Sequence, residues 1–283
     1  MGLVYKKIRQ IFCIAHYQYM EWILNGKQII VLIVLFFLMQ YVTNPIIALA
    51  KEIGLPIHWA EPFLAAVNSI YTIPLVIFCF ITLMCDFPKR NYENINMIFY
   101  TKRTNWYFGQ LLFCIYAIGT FMAEMVGLFL VRTLWISYLD NGWSPITKHY
   151  MEQYLDIGRK NGVVAVVPSE VYNHFSPELA FFYSLLLFAG MFFLISLIIM
   201  LFNFINKKTI GIILNILLVV SGLGMIYIKS SYLKFLPIGN AVLRCQNLPV
   251  TMLTDFYYPI TYFILINLFF IIIGRIMIKK IKL

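Results

Sequence analysis

Charge is what this sequence has least of. Only 12% of its 283 residues are Asp, Glu, Lys or Arg. A chain that must cover a folded surface against water carries about twice that share, so a soluble globular domain is excluded. Cysteine is sparse as well: Cys13, Cys79, Cys85, Cys114 and Cys245 show no CxxC spacing, which leaves no disulfide or zinc framework. The glycine-rich phosphate loop is missing, so the chain does not bind ATP through that motif. Neither HExxH nor GxSxG occurs, and His16, His58, His149 and His174 are scattered along the chain. Paired carboxylates within one apolar run, which an intramembrane hydrolase needs, are missing too. Nothing here points to an enzyme acting by itself.

Apolar residues fill the space that charge leaves. They make up 61% of the chain, with 25 Phe and 19 Tyr, and the mean hydropathy is +0.82. A bilayer core of about 30 Å takes about 20 apolar residues per helix. Six stretches qualify, at 29–50, 69–85, 111–131, 179–205, 210–228 and 257–278. Alternating them across a membrane puts fourteen Lys and Arg on one side and seven on the other. Basic residues stay on the cytoplasmic side, so both termini are expected in the cytoplasm. The net charge of +10 is then a signature of topology, and nucleic acid is not an expected partner. Ala48-Leu49-Ala50 looks like a signal-peptidase site, but the run before it exceeds an h-region of about 7–15 residues. The first span is expected to be retained. Of the cysteines, only Cys245 is expected to face outward, open to a membrane-impermeant thiol reagent.

The connecting segments carry their own patterns. In 3–25, Val4, Ile8, Ile11, Phe12, Ala15, Tyr19, Trp22 and Ile23 recur at three- and four-residue steps, as in an amphipathic helix lying in the inner interface. In the inner loop after span two, Pro88 stops the span and Asn91 can cap a short helix with Tyr92, Ile95 and Phe99 along one face and Glu93 beside it. Arg103 follows. Such an apolar face suits either a membrane surface or a docking protein. The outer segment 138–178 is Tyr-rich and broken by Pro145, Pro168 and Pro177. In the outer segment 229–256, Pro237 and Pro249 bracket a stretch suited to short helices that turn back toward the membrane.

Inside the spans, Glu124 lies about 20 Å along span three, with Arg132 two turns beyond. A carboxylate at such depth is costly and marks a candidate translocation path; the plainer reading is a Glu that fastens one helix to another. Gly119, Ala123 and Gly127 form a small-residue face that permits close helix packing. Asn203, Asn215 and Asn267 read as interhelical hydrogen bonds, and Pro45 and Pro74 as bends.

Together these features resemble the permease subunits of ABC exporters of the second type, over essentially the whole chain. The architecture carries the resemblance: an amphipathic inner helix, six spans, an inner helix between spans two and three, and an outer excursion between spans five and six. Locally, Asp86-Phe87-Pro88-Lys89-Arg90 followed by Thr101-Lys102-Arg103-Thr104-Asn105-Trp106 is similar to the family's acidic-then-basic loop ending in Arg-x-x-Trp. Phe235-Leu236-Pro237-Ile238-Gly239-Asn240-Ala241 is similar to its proline-containing stretch after span five. The resemblance implies an all-α multi-pass protein of the bacterial cell membrane, one permease domain over 1–283, paired with an identical or homologous permease. Two separate ATPase subunits, which carry the ATP and Mg, would dock on a coupling helix formed here by Tyr92, Glu93, Ile95 and Phe99, with Arg103 at its rim. No cofactor is implied on this chain. The exported substrate would be a peptide or another amphipathic molecule. The 138–178 segment departs from the family's short link and leaves the substrate open. The alternative is a self-contained secondary transporter or channel that uses Glu124.

Overall fold

The computed structural model describes residues 2–89, 97, 100–139, 142–148, 167–246 and 257–280. The described residues are all-α apart from one pair of two-residue strands. Helix α1 spans Gly2–Ile23, α2 Gly26–Ile53, α3 Glu61–Asn68, α4 Ile73–Met84 and α5 Arg103–Thr133. Then come α6 (Ser169–Tyr172), α7 (Pro177–Phe204), α8 (Lys208–Tyr227), a 3-10 turn (Ser231–Phe235), α9 (Pro237–Ala241), α10 (Leu243–Gln246) and α11 (Tyr257–Lys280). Strand β1 (Ile57–His58) pairs in parallel with β2 (Ser137–Tyr138), Ile57 opposite Ser137.

Five of these helices, α2, α5, α7, α8 and α11, are long and apolar enough to cross a membrane. Within the sixth expected span, 69–85, the helix is α4 alone. The shorter α3 precedes it, and the two meet at 84°. Alone, α4 has 12 residues, about 18 Å at 1.5 Å per residue, well short of a bilayer core. Pro74 sits in the first turn of α4, where the missing N–H costs nothing. Pro74 therefore starts α4 and does not bend a continuous span, whereas Pro45 lies within α2.

The core forms around α7. Phe192 of α7 lies 4.5 Å from Phe80 of α4 and 5.3 Å from Phe121 of α5, ring centre to ring centre. Phe80 and Phe121 are also 5.3 Å apart, so three helices share one aromatic cluster at favourable spacing. Asparagines add directed bonds: Asn267 of α11 donates to Gly190 O at 3.1 Å, and Asn203 of α7 to Pro88 O at 2.8 Å. Asn215 of α8 donates chiefly within its own helix, to Gly211 O at 2.9 Å, and reaches Ile195 O of α7 at 3.5 Å.

Helix α1 runs alongside the first half of α5 and in the same direction. Gln10 accepts from Asn105 at 2.9 Å, Tyr19 and Thr120 share a bond of 2.9 Å, and Trp22 meets the edge of Phe113 at 6.0 Å. Its expected apolar stripe is divided. Ala15 and Trp22 are buried against the bundle, while Val4, Ile8 and Phe12 stay exposed. The close approach comes at Gly109, where an added Cβ would lie 2.7 Å from Ile14 Cγ2. The expected face of Gly119, Ala123 and Gly127 is not used in this way. A Cβ at Gly119 or Gly127 would meet nothing within 4 Å, and Ala123 is exposed.

This contrast is testable. Gly109→Val forces side-chain carbons into Ile14 and should lower stability by about 1–3 kcal/mol, the usual cost of overpacking. Gly119→Val enters open space and should stay within about 0.5 kcal/mol of the parent. Thermal unfolding of the detergent-purified variants checks the pair; equal shifts would detach α1 from its place on α5.

Candidate functional site at the basic end of the bundle

The C-termini of α1, α4 and α7 and the N-termini of α2 and α8 come together at one end of the bundle. Asp86, just past α4, is the hub. Its two carboxyl oxygens accept from Lys27 at the start of α2 and Lys208 at the start of α8. Lys27 Nζ also lies 2.9 Å from Cys85 Sγ. Lys208 is placed by a tight turn in which Asn206 adopts φ 59°, a left-handed conformation that asparagine tolerates better than most residues. Burial pushes the Asp86 carboxyl up, but the hydrogen bonds and charges of Lys208 and Lys27 outweigh it and hold the group at about 2.

Further bonds surround this hub. Lys89 pairs with Glu21 of α1 at 2.9 Å. Trp22 Nε1 donates to Leu83 O at 3.1 Å. Phe87 stacks near Phe113 at 4.9 Å. On the far side of the 90–102 segment, Arg103 Nη1 donates to Lys279 O at 3.1 Å, a cation set on the last carbonyls of α11, where the helix dipole favours it.

Of the expected docking residues, Tyr92, Glu93, Ile95 and Phe99 lie outside the described residues. Arg103 is described, and its guanidinium is engaged with α11. Between them, Met97 packs against the core and Tyr100 is exposed. Glu124 lies elsewhere, on α5 well away from the hub. It is half-buried, and its Oε2 is buried with no hydrogen-bond partner among the described residues. Arg132 does not reach it and donates to Asn44 of α2 at 3.1 Å.

The opposite end holds a polar cluster with no signature in the sequence. Glu61, at the start of α3, is 2% exposed. Its oxygens accept from Ser144 N at 2.7 Å and Ser144 Oγ at 2.8 Å. His58 Nε2 lies 3.1 Å from Glu178 of α7, and His58 Nδ1 accepts from Ala60 N at 3.3 Å. Trp143 Nε1 donates to Phe175 O at 2.9 Å. Thr147 and the His58 backbone also bond to Glu61, so these bonds lash β1, the 142–147 segment and α3 together. The partners are 83 and 120 residues apart, and no local motif announces them. Cys245, expected to face outward and react, is fully buried in α10. Burial pushes its thiol up to about 12, so it is shielded and a poor nucleophile.

In comparisons with protein-family models, curated proteins and solved structures, nothing matches the chain.

The hub makes stability depend on pH in a defined direction. Asp86 has a lower pKa in the folded protein than the usual 3.9 or so, so its contribution is present above pH about 4 and is lost as pH falls toward 2. The side chain is 36% exposed, and solvent screening limits the effect to about 1 kcal/mol. Asp86→Asn should therefore lower the melting temperature at pH 7 and leave it near that of the parent at pH 2. A difference that persists unchanged at pH 2 would assign the loss to packing.

Proposed function

We propose that the chain is the permease subunit of an ATP-driven exporter of the second ABC type, in a bacterial plasma membrane with both termini in the cytoplasm. It would move a peptide or another amphipathic substrate outward, as a pair with an identical or homologous permease. Two copies of a separate ATPase subunit would supply ATP hydrolysis. The observation that carries this reading is where the coupling segment is anchored. On one side Asp86, Pro88 and Lys89 are bonded to α2, α8, α7 and α1. On the other, Arg103 is bonded to α11. A partner that pulls on residues 90–102 thus pulls on five helices beyond those the segment joins, which is what a transmission joint requires. The buried return of α9 and α10 after α8 also supports the reading, since an outer excursion of short helices is part of the architecture the chain resembles. The P-loop missing from the sequence fits a division of labour between two chains.

The test is retention of an ATPase on the detergent-purified protein. Tyr92→Ala with Phe99→Ala should release it, because losing a central aromatic anchor commonly costs about 2 kcal/mol, roughly thirtyfold in affinity. Full ATPase retention and stimulation in the double variant would end the docking assignment. Arg103 is a poorer probe, because its substitution also breaks the bond to Lys279.

One observation favours a second reading, a secondary transporter or channel. Glu124 has a buried, unpartnered carboxyl oxygen among the described residues, as an ion-coupling acid would. Glu124→Gln separates the two. The exporter reading expects transport nearly intact, measured as substrate uptake into inverted vesicles. A fully assembled but transport-dead variant, with activity in the purified chain alone, would favour ion coupling.

A further inference from the structure

Helix α1 ends packed against the bundle but begins with its side chains exposed all round. Its apolar stripe is continuous in sequence and not in surroundings. Ala15 and Trp22 are 0% and 7% exposed, whereas Val4 is 61% exposed, Ile8 49% and Phe12 51%. Every side chain from Val4 to Arg9 is exposed, Lys6, Lys7 and Arg9 included. At 3.6 residues per turn, Val4, Tyr5, Ile8 and Phe12 share one arc of the helix. Arg9 and Lys6 border that arc on one side and Lys7 on the other. An apolar face rimmed by cations suits an acidic membrane surface, where the apolar residues enter the interface and the charges stay at the headgroups.

The tertiary contacts add cations from other segments. Gln10 accepts from Asn105, which holds the basic turns of α1 beside the start of α5. Lys102, next to that start, is exposed, and so is Tyr100 just before it. Arg103 donates to Lys279 O, which brings the exposed Lys279 of α11 to the same helix start. No acid offsets these charges on the three helices: α1 has no Asp or Glu before Glu21, α11 has none, and α5 has none before Glu124. The surface continues into one suited to lipid, since Phe108 of α5 and Ile272 and Ile276 of α11 are exposed. An acidic protein would match the charge but set Val4, Ile8 and Phe12 against polar groups. A bilayer interface matches both.

We propose that the first three turns of α1 bind acidic phospholipid. Lys6, Lys7 and Arg9, with Lys102 beside them, hold the anionic headgroups, while Val4, Ile8 and Phe12 reach the acyl chains. The helix thereby selects lipid by charge, which is more than lying at the interface. The site requires only that the long helices cross a membrane, and it is independent of any ATPase, substrate or transport direction.

The probe is a phosphatidylglycerol with a photoreactive diazirine on its acyl chain, added to the full chain in phosphatidylcholine nanodiscs. Mass-spectrometric mapping should place labels on 4–12. Unlabelled phosphatidylglycerol should displace them about fivefold better than phosphatidylcholine, the factor that one basic residue near an acidic surface supplies. Added salt should shrink that preference. Leu265 and Phe269, exposed in an uncharged stretch of α11, provide the reference for ordinary annular lipid, and labels there should be displaced equally by both lipids. Lys6→Gln with Arg9→Gln should abolish the preference on 4–12. Lys6→Arg with Arg9→Lys, which keeps the charge, should retain it and so guards against a folding defect in the first variant. Equal displacement of the 4–12 labels by the two lipids would overturn the proposal. A preference that survives the loss of Lys6 and Arg9, or that is lost as fully in the charge-keeping variant, would do the same. Labels confined to the α11 reference would overturn it in favour of an acidic protein as the occupant of this face.

Discussion

One carboxylate held between two ammonium groups fixes the basic end of this protein. Asp86 joins the starts of α2 and α8 to the end of α4, and without it Lys27 and Lys208 would face each other as like charges. Single ion pairs at partly exposed positions contribute little stability. The effect here is mainly on position: three helix ends meet where the carboxylate can satisfy both cations. The neighbouring bonds, Lys89 to Glu21 and Asn203 to Pro88 O, extend the same junction to α1 and α7.

Away from that end, cohesion comes from shape and not from charge. Lipid tails are as apolar as leucine, so helices gain by packing closely and by satisfying their polar groups internally. The Phe80–Phe121–Phe192 cluster and the fit of Ile14 on Gly109 supply the packing. Asn267 and Asn203 supply the bonds. Where the structure leaves buried polar atoms without a partner among the described residues, at Gln28, Gln110, Glu124 and Asn215, stability is given up locally. Intramembrane polar groups of this kind are where function concentrates. The far end works differently again, for Glu61 and His58 are buried and bonded, and they hold separate chain segments as a cap over α3 and α7.

Much of this was legible in the sequence, because hydropathy and periodicity are local properties. Five long apolar helices follow from apolar runs, although α5 begins at Arg103, eight residues before the expected 111, and α9 and α10 fall in the stretch where Pro237 marked a return. The late start of α4 was visible only as Pro74, which reads as a bend; whether a proline bends a helix or begins one depends on the turn before it. The stripe on α1 was readable as a stripe, but periodicity does not say what covers it, and α5 covers only part. The small-residue face of α5 shows the same limit in reverse, since Gly119 has the right spacing and no neighbour.

The sequence by itself therefore determined that this is a helical chain made for a membrane, with its basic residues gathered toward one end of the spans. Those facts rest on composition and on spacing within single segments. Only the tertiary structure decided that Asp86 is shared by two lysines, that Glu61 is bonded to Ser144, and that Asn215 of α8 reaches Ile195 O of α7. The physical reason is distance along the chain. Each of these arrangements brings together groups 20 to 122 residues apart, and which side chain ends beside which is set by packing around α7, not by any pattern a single segment can carry.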